Sequence, residues 1–126
     1  MKNKVLGLGV AVAALAAMLG IGAANAADTY DIHVIQPLTG GGSFLGKAEQ
    51  QSLQLAEKVA NASGGIQGRP LHFIFHDDQS NPQVAVQLAN EVIASKPAVM
   101  IGSSLVAMCN AISPLMQASG PVQYCL

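Results

Sequence analysis

The chain has 126 residues, 51% of them hydrophobic and 10% charged, with 13 glycines and no tryptophan. That apolar weight excludes a disordered chain, and a formal net charge of −1 lacks the basic excess that coats nucleic acid. The length allows one ordinary domain at most.

Lys2 and Lys4 precede an uncharged run, Val5 to Ala24, rich in Ala, Gly, Leu and Val and followed by Asn25-Ala26. This is the pattern of a cleavable secretory signal peptide over residues 1–26, with an uncleaved anchor as the alternative. Ala27, not a cysteine, stands directly after the cut, so no lipid anchor is expected. Cleavage after Ala26 would leave 100 residues with four basic side chains (Lys47, Lys58, Arg69, Lys96) and seven acidic ones (Asp28, Asp31, Glu49, Glu57, Asp77, Asp78, Glu91), a net −3. A mildly acidic exported domain has no clustered Lys and Arg for nucleic acid or anionic lipid.

Tyr30-Asp31-Ile32-His33-Val34-Ile35-Gln36 alternates and then turns apolar before Pro37, as a strand entering the centre of a sheet does. A Gly/Thr loop, Pro37 to Ser43, follows. From about Phe44 to Ala62, Leu45, Ala48, Ser52, Leu55, Ala56 and Val59 recur at helical spacing, predicting an apolar face, with Glu49, Gln50, Glu57 and Lys58 opposite. The helix stops at Asn61-Ala62-Ser63-Gly64-Gly65, where glycine supplies the left-handed conformation of a helix end.

Leu71 to His76, aromatic and branched, predicts a second strand, with Asp77 to Ser80 as its exit loop. Asn81 caps a second helix with Pro82 at its first position; Val84, Leu88 and Val92 with Ala85, Ala89 and Ile93 form its buried stripe, and Lys96-Pro97 ends it. Ala98 to Gly102 is a short apolar run, as in a strand covered on both faces. A third helix spans roughly Val106 to Ala118, late-starting or kinked at Pro114, and Val122 to Leu126 reads as a fourth strand.

This alternation predicts right-handed βαβ units in an α/β three-layer sandwich with a parallel sheet. Ligands of such sheets bind beyond the carboxyl ends of the strands, near the switch in strand order. Three loops share that rim: Pro37 to Phe44, Asp77 to Asn81, and Ser103 to Met108.

Several motifs compete for those loops. Gly41 to Lys47 fits the phosphate-loop spacing G-x-x-x-x-G-K, but Ala48 stands where a Mg²⁺-binding hydroxyl belongs. A dinucleotide fingerprint would need glycine at Leu45. Gly102-Ser103-Ser104-Leu105-Val106 has the outline of a nucleophile elbow without its closing glycine, and no histidine follows it to act as base. The hydroxyls suit hydrogen bonding instead and, beside unpaired helix amides, could hold a small carboxylate. No enzyme chemistry and no cofactor is expected. His72 and His76 share a strand face about 13 Å apart, too far for one metal ion. His76-Asp77-Asp78 reads as a solvated strand end rather than a cation site. Cys109 and Cys125, an even count in an exported chain, permit a disulfide if their elements bring the Cα atoms within about 7 Å.

Pro37-Leu38-Thr39-Gly40 with Gly46, the stretch Asn61 to Leu71 (N-A-S-G-G-I-Q-G-R-P-L), Asp77 to Pro82 (D-D-Q-S-N-P) and Ile101 to Ser104 together resemble the type I periplasmic binding proteins, in particular the branched-chain amino-acid (leucine-binding) branch that feeds ABC importers. The resemblance implies a flavodoxin-like strand order and a lobe whose first and third strand loops cradle an amino-acid backbone. It departs at Leu45, where leucine-binding members carry an aromatic residue, and at Val106, where they place a carboxylate-binding hydroxyl, which leaves ligand identity open.

The resemblance further implies that residues 27–126 are the first of two lobes, which alone would hold ligand weakly. The function expected is reversible capture of a small amino-acid-like solute in the periplasm for an ABC permease. The alternative is a ligand-sensing domain of the same fold. Thr39, Ser43, Phe44, Ser103 and Ser104 are the candidate ligand-binding residues, the hydroxyls for carboxylate or ammonium and Phe44 as an apolar wall.

Overall fold

The structure, a computed structural model, describes residues 28–126; the expected signal peptide lies outside the described residues. The chain runs β1 (Tyr30–Gln36), α1 (Ser43–Ala62), β2 (Leu71–Asp77), α2 (Pro82–Ser95), β3 (Val99–Gly102), α3 (Val106–Ser119) and β4 (Val122–Cys125). All three strand pairings are parallel, and the spatial order is β2-β1-β3-β4. The chain therefore steps outward from β1 to β2 and then returns across β1 to β3. With right-handed crossovers this reversal puts α1 on one face and α2 and α3 on the other, giving the three layers and flavodoxin-like order expected.

Period-two alternation divides the core. Val34, fully buried, points to the α1 side with Leu71 and Phe73, where Leu53 and Ala60 pack on them. Ile35, also fully buried, points the other way into a larger cluster of Ala85, Ala89 and Val92 from α2, Met100, and Met108, Ile112 and Met116 from α3. The buried stripe of α2 follows the expected spacing. Its N-cap is as expected too: Asn81 accepts from the Gln83 amide, with Pro82 in the first turn. Helix α3 runs on through Pro114.

One expectation is overturned. Helix α1 does not bury Leu45, Ala48, Ser52, Leu55, Ala56 and Val59; all six are exposed, Leu55 at 63% and Val59 at 60%. It turns Gly46, Glu49, Gln50, Leu53, Glu57 and Ala60 toward the sheet. The cause is the position of β2 at the sheet edge, which leaves its outward backbone groups without a neighbouring strand. The Glu57 carboxylate accepts from the Phe73 amide at 2.7 Å. Asn61 clamps Leu71 at both ends, Oδ1 accepting from its amide at 2.7 Å and Nδ2 donating to its carbonyl at 2.9 Å. An orphaned buried amide costs about 1–3 kcal/mol, so these three bonds hold the Glu57 and Asn61 side of the helix over the β2 edge and leave Leu45, Leu55 and Val59 outside.

Candidate functional site

The parallel sheet brings the three exit loops to one edge, and the β1/β3 boundary is where strand order reverses. Two glycines let the first loop close against the others. Gly40 has φ +80°, and a Cβ there would lie 2.5 Å from the Gln79 carbonyl oxygen. A Cβ on Gly42 would meet Leu105 Cδ1 at 2.6 Å.

Hydrogen bonds then fix the loops to one another. Asp77 accepts from the Thr39 amide at 3.0 Å and from the Thr39 hydroxyl at 2.6 Å. Burial pushes the Asp77 carboxyl up, but the bonds from the Thr39 hydroxyl and the Gln79, Thr39 and Leu38 amides outweigh it and hold the group below its ordinary value. Ser80 Oγ donates to the Thr39 carbonyl at 3.0 Å and accepts from the Gly42 amide at 2.9 Å. Beneath them Asp78, fully buried, accepts from the Ser80 amide at 2.8 Å and from Ser103 Oγ at 2.7 Å. Its own amide donates to the Gln36 carbonyl at 3.0 Å. Asp78 is thus the strut joining all three loops, a role its sequence neighbourhood did not announce.

The five candidate residues separate into two groups. Ser103 is 1% exposed and its hydroxyl is spent on Asp78; Thr39 is exposed, but its hydroxyl is spent on Asp77. These two hold the rim together. Ser43, half-buried, and Phe44, 89% exposed, open α1, while Ser104, half-buried, precedes α3. Ser104 Oγ donates to Gln36 Oε1 at 3.3 Å. Val106, 73% exposed, stands across the rim as a second apolar side chain that the sequence reading had counted only as a departure.

The helix starts differ in a telling way. Helix α2 has a side-chain cap, Asn81 accepting from the Gln83 amide, whereas α1 and α3, which follow β1 and β3, begin at Gly42 and Leu105 with no side-chain cap. In α1 the Ser43 and Leu45 amides donate to the Gly40 and Gly42 carbonyls, and in α3 the Met108 amide donates to Leu105, which leaves the Phe44 amide of α1 and the Val106 and Ala107 amides of α3 open at the positive ends of two helix dipoles beside the switch point. Such a wall suits a small anion with an apolar body against Phe44 and Val106.

His76, Asp77 and Asp78 do not converge, and with Asp78 fully buried they are not the solvated strand end that the sequence suggested. Asp77 and Asp78 serve separate loops, and His76 turns to the α2 face, where its Nε2 lies 2.9 Å from Nδ1 of His33. A concavity of about 410 Å³ lies at the opposite, amino edge of the sheet, lined by Asp28, Tyr30, Asp31, Arg69 and Lys96 among others. Arg69 is already paired there with Asp28 at 3.2 Å, and it lies over the Tyr30 ring. Cys109 and Cys125 are joined as a disulfide, their Cα atoms 6.3 Å apart, tying the first turn of α3 to the end of β4.

Residues 29–122 match the family described as periplasmic binding protein. The chain belongs to that family, in its type I branch. Among curated relatives, the Leu/Ile/Val-binding protein homolog 3 of Brucella melitensis is 30% identical over 107 residues, which is 85% of this chain and 29% of the relative. Among solved structures, the periplasmic binding protein type 1 of Bordetella pertussis superposes with a TM-score of 0.71 at 30% identity, over 76% of this chain and 26% of that one. The branched-chain amino acid transporter substrate-binding protein LivJ of Streptococcus pneumoniae, in complex with isoleucine, superposes with a TM-score of 0.73 at 24% identity, over 78% and 28%. This periplasmic binding protein chain thus spans less than a third of the length of the relatives it matches.

Proposed function

We propose that the chain supplies one wall of a solute-binding cleft in the substrate-binding component of an ABC importer, capturing a small amino-acid-like solute in the periplasm after removal of residues 1–26. The observation that carries this reading is the convergence of two uncapped helix starts with two exposed apolar side chains at the point of strand-order reversal. In it the ligand carboxylate meets the open amides at the starts of α1 and α3, those of Phe44, Val106 and Ala107, with Ser43 and Ser104 beside them, and the apolar part lies between Phe44 and Val106. Thr39 and Ser103 act through Asp77 and Asp78 by holding the loops. The relatives named for leucine, isoleucine and valine support a branched aliphatic ligand.

The wall is open to solvent, so affinity for this chain alone is expected to be millimolar or weaker, since much of a ligand's surface stays wet. The test is a titration with L-isoleucine, L-leucine and L-valine followed by backbone amide NMR. Shifts are expected at Ser43, Phe44, Ser104 and Val106, reduced by Phe44→Ala. Shifts confined to the amino-edge residues Asp28, Asp31 and Lys96 would overturn the reading, as would micromolar binding by calorimetry.

A further inference from the structure

The ladder between β1 and β3 is short: it pairs His33 with Met100 and Val34 with Ile101, and it leaves the carboxyl ends of the two strands unjoined. Gln36 stands at that opening. By alternation its side chain takes the α1 side of the sheet, as Val34 does. Its main chain is fixed, the carbonyl accepting from the Leu38 amide at 2.9 Å and from the Asp78 amide at 3.0 Å. Gln36 is 0% exposed, enclosed by residues of this chain alone, and one bond ties its side-chain amide to the rim: Oε1 accepts from Ser104 Oγ at 3.3 Å.

Nε2 of the same amide is buried and has no hydrogen-bond partner. A glutamine there costs stability that an apolar side chain of its length would not, since an unmatched buried donor forfeits its hydration. The effect of the amide is to orient one hydroxyl. An amide oxygen accepts and cannot donate, so the single proton of Ser104 is committed to Oε1, and only the lone pairs of Oγ are left for anything else. Ser104, half-buried beside the start of α3, therefore meets a bound solute as an acceptor.

We propose that Gln36 is a positioning residue for solute selection: by fixing Ser104 as an acceptor, it makes the start of α3 select a solute that carries a hydrogen-bond donor next to its carboxylate, as an α-amino acid does. The assignment rests on the cleft reading given above. In that cleft the carboxylate meets donors, the open Val106 and Ala107 amides, and the neighbouring ammonium meets the Ser104 lone pairs. A carbonyl oxygen in place of the ammonium would face those lone pairs and gain no bond. Gln36 itself touches no solute and acts only through the Ser104 hydroxyl.

Backbone amide NMR titrations of the full chain with L-isoleucine and with its α-keto acid measure the preference. The wild-type chain should bind isoleucine about fivefold more tightly, or better, because only the ammonium finds an acceptor. Gln36→Met keeps the length of the side chain and removes both amide atoms, so it should melt no lower than wild type, free the Ser104 proton for the keto oxygen and bring the two affinities close together. Ser104→Ala should also remove the preference, and adding Gln36→Met to it should change nothing further. A merely structural Gln36 would weaken both solutes alike and leave their ratio unmoved. Isoleucine that shifts no rim amide overturns the cleft reading and this assignment with it. Isoleucine bound at the rim without a wild-type preference over the keto acid, or with a preference that the folded Gln36→Met or Ser104→Ala variant retains, overturns the assignment alone.

Discussion

His33 Nδ1 lies 2.9 Å from Nε2 of His76, joining β1 to the edge strand β2 through a diagonal pair of stacked rings, and Ser95 Oγ of α2 lies 3.4 Å from the other nitrogen of His33. Such a bond needs one proton between two facing nitrogens, so a proton on each breaks it. Burial, then the charge of His33, pushes His76 below the ordinary histidine value of 6.5, while Glu91 pulls it partly back. The unfolded chain therefore takes up the proton more readily, and stability held above pH 6.5 is lost as pH falls through that value toward the lowered native one. Thermal melts between pH 8 and pH 5 should show a falling midpoint on the acid side, and His76→Gln should flatten the slope. An unchanged slope in that variant would remove the pair from the account.

The Asp78 strut makes a prediction about the rim. Ser103→Ala leaves one lone pair of a buried carboxylate unmatched and should cost about 1–2 kcal/mol, while Asp78→Ala orphans both Ser103 and the Ser80 amide and should cost about 3 kcal/mol or more. Asp78→Asn, which keeps the acceptor for the Ser80 amide, should fall between them. Urea denaturation midpoints at pH 7 give the ranking directly.

Helix α1 offers a test of which face carries its stability. Asn61→Ala strips both polar groups of Leu71 of their partner and should cost about 2 kcal/mol, whereas Leu55→Ala, 63% exposed, should stay within about 0.5 kcal/mol in dilute solution. The sequence expectation of an inward Leu55 makes the opposite forecast, so one pair of melts decides between them.

The Cys109–Cys125 bridge closes a short loop, with a sequence separation of 16. Constraining a loop of that size in the unfolded chain is worth about 3 kcal/mol, so reduction, or the double variant Cys109→Ser with Cys125→Ser, should lower the melting temperature by several degrees. The loss should fall first on β4, which pairs with β3 and packs on α3 among the described residues. Hydrogen exchange of the Val122 to Cys125 amides before and after reduction measures it.

The sequence by itself determined the seven elements, their parallel arrangement and the rim where their exit loops meet, because these follow from hydrophobic period, capping residues and the handedness of crossovers. It also determined Asn81 as a cap, and Phe44 and Ser104 as residues of that rim. Which side of α1 faces inward was decided only in the fold: a helical wheel weighs apolar side chains but does not see that β2 is an edge strand whose amides need Glu57 and Asn61. The same holds for Ser103 and Thr39, whose hydroxyls were legible as loop groups but whose partners, Asp78 and Asp77, come from another βα turn. The pairing of His33 with His76 across 43 residues is of this kind too. Local spacing along a chain fixes periodicity, whereas the partner of a buried polar group is fixed by strand register and the closeness of separate loops, which exist only once the sheet has formed.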